Sequence, residues 1–258
     1  MPPNGSPISS SSGCAEVIDL HTHILPGIDD GARTLDDALE MAHAFVADGV
    51  TTIAATPHVR DDFPTSADVM LRAVDTLQQV LDEEGIPLVV LPGAELAIDW
   101  IPRLHDAELR RLTLAGSGRY ILVETPYFGW PVGLVEQLLE LRVAGFTPVL
   151  AHPERNGVVQ QTPSLLAPLV HGGTLVQVTA ASLDGRFGKL CRQTALHLVA
   201  AGLAHMVASD AHMPDVRAAG MRSAAGSLDD AALGEWLTND VARALIERRS
   251  PPPRPRTD

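Results

Sequence analysis

The feature that most constrains this chain is a repeated hand-over from helix to strand. The segments ADGVTT, EEGIPL and VAGFTP each close an amphipathic stretch with a glycine and pass at once into an apolar run. A glycine in the left-handed cap position followed directly by a strand is the pattern of parallel βαβ units. Strand candidates fall at 17–23, 51–58, 87–95, 120–124, 147–152, 174–179 and 205–210. Helix candidates lie at 35–48, 69–84, 131–144 and 187–201. In the first of these, Leu35, Ala38, Leu39, Ala42, Phe45 and Val46 keep helical spacing behind Thr34, a suitable cap. Seven strands with helices between them predict an α/β fold, a (β/α) barrel or a relative of one.

Composition agrees with that class and removes others. Aromatics are only 4% of the 258 residues, which suits helices packed on a sheet better than a β-sandwich. The formal net charge of −13 argues against nonspecific nucleic-acid binding and against anchoring on an anionic membrane. The longest stretch free of Asp, Glu, Lys and Arg, 156–183, is broken by Pro163, Pro168, Gly172 and Gly173, so no membrane insertion is expected. Cys14 and Cys191 make no CxxC pair and no disulfide framework. With no export signal legible at the start, the expected location is cytoplasmic. The Ser-rich 1–14 and the Pro- and Arg-rich 249–258 read as disordered tails around a single domain, 15–248.

The chemistry sits at the strand ends. The first strand candidate closes on His21 and His23, the second on His58, the third on Glu95 and the fourth on Glu124. The fifth closes on His152, and the last on Asp210 with His212 just beyond; only the sixth lacks such a residue. His21 and His23 are two apart on a strand, so both point to one face and can grip one ion. Active sites of barrels form where the C-terminal ends of the strands meet. Five histidines and three carboxylates at six of seven such ends make a metal site the better reading than a set of separate surface and packing residues. His43, His105, His171 and His197 fall on helices or loops, and His205 opens its strand at the wrong end, so none of these joins the site. No Cys-x5-Arg loop exists around either cysteine, and no GxSxG elbow appears, so cysteine and serine nucleophiles are set aside.

In order, HTHILPGIDDG, ATPH, PGAE, LVE, AHPER and SDAH resemble the polymerase and histidinol phosphatase (PHP) superfamily. More narrowly, the chain is similar to the bacterial manganese-dependent protein tyrosine phosphatases encoded with capsule and exopolysaccharide genes. The resemblance implies a distorted (β/α)7 barrel with a multinuclear metal cluster at its mouth. Carried over by motif, the ligands are His21, His23, Asp30, His58, Glu95, Glu124, His152, Asp210 and His212. Asp30 enters by resemblance alone, since Asp29-Asp30-Gly31 otherwise reads as an ordinary turn. Arg155 and Arg217 match family arginines and are expected to clamp the phosphoryl group as catalytic donors.

A mixed imidazole and carboxylate set without thiolate favours Mn²⁺, with Fe²⁺ or Zn²⁺ as alternatives. Nine ligands are too many for one ion and enough for two or three. Three divalent ions would outweigh the four ligand carboxylates and make the site locally positive within an acidic protein. The implied reaction is attack of a metal-bound hydroxide on phosphotyrosine in a protein, by family the tail of a bacterial tyrosine kinase that controls polysaccharide export. Two other functions are compatible with the motifs: a small-molecule phosphatase such as one acting on histidinol phosphate, and a non-catalytic regulatory barrel.

Overall fold

The structure, a computed structural model, describes residues 16–213 and 219–256. Among them the strands are β1 (Val17–Thr22), β2 (Val50–Ala55), β3 (His58–Val59), β4 (Val89–Pro92), β5 (Glu95–Ala97), β6 (Tyr120–Glu124), β7 (Thr147–Ala151), β8 (Leu175–Thr179) and β9 (Met206–Ala208). The helices are α1 (Leu35–Ala47), α2 (Ala67–Glu83), α3 (Asp106–Arg111), α4 (Leu134–Val143), α5 (Gly157–Gln161), α6 (Ala167–His171), α7 (Ala180–Leu183), α8 (Gly188–Ala200), α9 (Met221–Gly226), α10 (Ala231–Glu235) and α11 (Val241–Ile246).

All ladders between strands are parallel, β1-β2-β4 in one sheet and β3-β5-β6-β7-β8-β9 in the other. Every residue of β6, β7 and β8 is buried, as expected of a parallel sheet covered on both faces. The second and third expected strands are each broken into two pieces. Pro57 has no N–H to give a ladder, and it separates β2 from β3. Gly93 separates β4 from β5, where a Cβ would meet Thr56 Cγ2 at 3.2 Å. The upstream pieces pair in the first sheet and the downstream pieces in the second, so each bend carries the chain from one sheet to the other. The sheets meet again on the far side. Thr22 bridges Ala211 in parallel, and Asp210 N donates to His21 O at 2.9 Å.

Helix starts follow their caps. Thr34 and Asp37 form a reciprocal capping box at α1. Ser66 caps α2, which therefore begins two residues earlier than its apolar spacing suggests. Its buried face, Met70, Val74, Leu77 and Leu81, recurs at helical spacing, and each such side chain contributes about 1.5–3 kcal/mol by leaving water. The fourth helix starts at Leu134, three residues later than expected, because Gly133 before it is left-handed (φ 82°). Five further helices, α3, α5, α6, α7 and α9, are four to six residues long, too short for periodicity to register. The last two, α10 and α11, run into one another through a π-helical stretch, Trp236–Asp240, which sequence reading did not mark as a helix.

Residues 249–256 take no helix or strand, yet hydrogen bonds hold them against the body. Tyr120 donates to Arg249 O at 2.5 Å, the Trp236 indole to Pro252 O at 3.1 Å, and Arg254 to Val199 O at 2.7 Å. Nothing in the Pro and Arg composition signalled this anchoring. Residues 1–14 lie outside the described residues. Among the described residues no helix is long and apolar enough to cross a membrane.

Candidate metal centre

Parallel strands deliver their last residues to one end of the molecule, and the nine predicted ligands meet there. His21, His58, Glu95 and Glu124 lie on β1, β3, β5 and β6. His23 follows β1, His152 follows β7, and Asp210 and His212 follow β9. Eight of the nine are buried, and Asp30, in the loop before α1, is the exposed one.

Their donor atoms form three overlapping groups, each with its atoms within 4.8 Å of one another. The groups are His23, Asp30, His58 and His212; His21, His23, Glu95 and Asp210; and His58, Glu95 and Glu124. Any two share one residue, either His23, His58 or Glu95. His152 belongs to none of the three, but its Nε2 lies 2.8 Å from Glu95 Oε1.

The contacts suit cations better than hydrogen bonds. Glu95 Oε2 lies 3.3 Å from His21 Nε2, 3.4 Å from His23 Nε2 and 3.0 Å from His58 Nδ1. Yet neither Glu95 Oε2 nor His58 Nδ1 has a hydrogen-bond partner. Nε2 of His21 and Nε2 of His23 face each other at 3.2 Å, which requires a proton or a cation between their lone pairs. The donor set therefore fits divalent ions.

Electrostatics point the same way. Burial opposes charge on His21 and His23, but Glu95 and Asp210 around the first, and Asp29 and Asp210 around the second, outweigh it and raise both. His58 is likewise lifted, against burial, to about 9 by Glu95 and Asp30. Burial works to raise Glu95 and Asp210, yet the surrounding imidazoles hold both well below the usual carboxylate range. Glu124 is pushed up by burial and by the neighbouring Glu95 charge. Carboxylates that hold protons on imidazoles this firmly hold metal ions by the same field, so ion binding displaces protons.

Supporting side chains fix the imidazoles. Asp29 takes His23 Nδ1 at 2.7 Å and accepts from the backbone N–H of Gly31 and His58, which turns His23 Nε2 towards the cluster. Gln177 does the same for His21, its Oε1 3.0 Å from Nδ1. The sixth strand candidate, without a ligand of its own, thus supplies an anchor. Buried Asp19 accepts from the N–H of His21 and Ser209, tying β1 to β9, and burial raises it to about 6. Gly31 is required by contact, since a Cβ there would lie 2.0 Å from His23 O. That close approach folds the Asp-Asp-Gly turn back over the site and brings Asp30 to it. His152 and Asp210 both have left-handed backbone, at φ 35° and 52°.

Arg155 reaches the cluster. It donates through Nη1 to Asp210 Oδ2 and through Nη2 to Tyr127 Oη, and it packs its guanidinium on the rings of Tyr127 and Phe187. Asp210 turns its other oxygen to His21 and His23, so Arg155 also orients a predicted ligand. Arg217 lies outside the described residues.

Besides Asp29 and Asp19, three residues with a place at the site were not singled out by sequence. Arg60 lies 3.3 Å from Glu124 and 3.8 Å from Asp30. It stands two residues after His58, so the parity argument used for His21 and His23 was enough to find it. Tyr127 and Gln177 carried no such signal, because their contacts depend on tertiary placement. The five histidines set aside join none of the three groups. His205 accepts from Val176 N and is pulled down to about 4 by burial.

Cys191 lies half-buried on α8, where burial pushes its thiol up and Gln160 contacts its sulfur at 3.5 Å. A raised pKa is the reverse of what a nucleophilic thiolate needs. Cys191→Ser is therefore expected to keep hydrolytic activity within about twofold. A hundredfold loss, about 2.7 kcal/mol of transition-state stabilisation, would mean the chemistry is misassigned. Cys14 lies outside the described residues, and Cys14→Ser carries the same expectation.

Fold and site together define a parallel α/β protein with a candidate multinuclear metal centre at the C-terminal ends of its strands. The chain belongs to the family of capsular polysaccharide synthesis proteins CpsB/CapC, which it matches over residues 17–243. It is 43% identical over 197 residues to the tyrosine-protein phosphatase YwqE of Bacillus subtilis, covering 76% of this chain and 77% of the relative. It is 33% identical over 199 residues to a putative tyrosine-protein phosphatase CapC of Staphylococcus aureus, covering 76% and 77%. Among solved structures it is similar to one described with YwqE from B. subtilis and CpsB from Streptococcus pneumoniae as unique metal-dependent tyrosine phosphatases. The TM-score is 0.83 at 36% identity, over 93% of this chain and 100% of the other.

Proposed function

We propose that this protein is a metal-dependent protein tyrosine phosphatase. The observation that carries the proposal is the convergence of four imidazoles and four carboxylates in three groups, any two of which share a residue, with His152 against Glu95 beside them. The nine residues named above are the proposed ligands, for two or three divalent ions, with Mn²⁺ favoured by nitrogen and oxygen donors without thiolate. The seven strand positions, joined where Thr22 meets Ala211, are read as a distorted (β/α)7 barrel forming one catalytic unit over 15–248.

Ions in such a site supply Lewis acidity that activates water and neutralises phosphoryl charge. The protein's own groups do the rest. Asp29 and Gln177 hold His23 and His21 in the required orientation. Arg155 and Arg60, together with Arg217, present guanidinium donors to the phosphoryl oxygens. The substrate is a phosphotyrosyl protein, by family the tail of a bacterial tyrosine kinase.

Chelation followed by Mn²⁺ add-back tests the proposal. Phosphate release from a phosphotyrosyl peptide should vanish with EDTA and return with Mn²⁺, and histidinol phosphate should be the poorer substrate. Undiminished hydrolysis by protein shown to be metal-free by elemental analysis would overturn it.

A further inference from the structure

Beside the ligands runs a groove of about 550 Å³ that the reaction as described does not use. Its floor and walls are mostly apolar: Ala97, Ile98, Pro126, Tyr127, Phe128 and Trp130 line it. Its inner end is polar, closed by Glu124 and Arg60, which face each other at 3.3 Å. Glu124 belongs to the ligand group with His58 and Glu95, so the groove is continuous with the candidate metal centre. Cavities along α4 and beside α9 and α10 touch none of the nine residues.

We infer that this groove receives the tyrosyl ring of the substrate and selects aromatic over aliphatic phosphoesters. The inference rests on the phosphatase reading and goes further, naming what sits on the leaving-group side. A phosphoryl group held among the carboxylates and guanidinia must send its leaving oxygen outward, and the apolar wall begins directly beyond Glu124. Three aromatic side chains line that wall, and aromatic rings favour offset and edge-to-face neighbours. Phe128 is 89% exposed, an unusual state for a phenylalanine, and it is covered once a ring lies in the groove. Arg60 stacks over Phe63 with its guanidinium carbon 5.2 Å from the ring centre, which keeps its charge at the inner end where the phosphoryl group sits. The volume exceeds that of one phenol, leaving room for a neighbouring residue of the peptide.

The test compares Phe128→Ala and Trp130→Ala with the unaltered full-length, Mn²⁺-loaded protein. Hydrolysis of a phosphotyrosyl peptide, phenyl phosphate and β-glycerophosphate is measured beside calorimetric binding of phenylphosphonate and methylphosphonate. Each variant should lose about tenfold in kcat/KM on both aromatic esters and stay within about twofold on β-glycerophosphate. The preference for phenylphosphonate over methylphosphonate should shrink by the same factor. Equal losses on all three esters, or no loss on any, would overturn the assignment. A loss confined to the peptide, with phenyl phosphate untouched, would assign the groove to flanking residues and overturn it too. Trp130 is partly buried, so retention of β-glycerophosphate activity is also its control for folding. An unaltered protein that hydrolyses no ester would overturn the phosphatase reading, while the phosphonate preference would still decide the fate of the groove.

Discussion

Replacing His21 or Asp210 by alanine is expected to bring phosphotyrosine hydrolysis to background while the protein stays folded. Both side chains are fully enclosed, and their donor atoms lie 3.3 Å apart within the group that also holds His23 and Glu95. Asp210 has a second task through Arg155, so its removal also frees the guanidinium from its orienting partner. Metal content per chain should fall in both variants, and the circular dichroism melt should remain cooperative. Near-normal turnover in either variant, with Mn²⁺ supplied in excess, would sink the assignment of the cluster.

Removal of Arg155 should act differently. A guanidinium that stabilises charge as it develops on the phosphoryl group contributes to kcat, and loss of one preorganised donor typically costs about 10²–10³. Arg155→Ala should show that loss in kcat with little change in KM. Arg155→Lys should recover little, since an ammonium reproduces neither the planar two-point contact nor the packing between Tyr127 and Phe187. Elemental analysis separates this role from support of Asp210. Unchanged metal content with depressed kcat is the expected result. An unchanged kcat with weakened affinity alone would reduce Arg155 to recruitment of the anion, and lost metal would make it a positioning residue for Asp210.

The site was legible in the chain to the extent that it is written at strand ends. Apolar runs that stop on His, Glu or Asp announce both the strand and the side chain at its mouth, and eight of the nine predicted ligands were visible that way. Asp30 was not, because a turn with two aspartates and a glycine looks the same whether or not it folds over a cluster. What brings it in is the contact of Gly31 with His23, a tertiary fact. Gln177 and Asp29 were hidden for the same reason, as a hydrogen bond to an imidazole, from another strand or from a loop, leaves no local periodicity. The breaks at Pro57 and Gly93 were present in the sequence as residues, but only the change of sheet gives them meaning.

The left-handed backbone at His152 and Asp210 sets chemistry against sturdiness. A side chain with a Cβ in that conformation costs about 1–2 kcal/mol that glycine avoids. At these two positions the residue that makes the most comfortable chain is therefore one with no donor atom at all. The rest of the molecule carries that burden through its packing, and a descendant released from catalysis would gain in stability by giving both residues up.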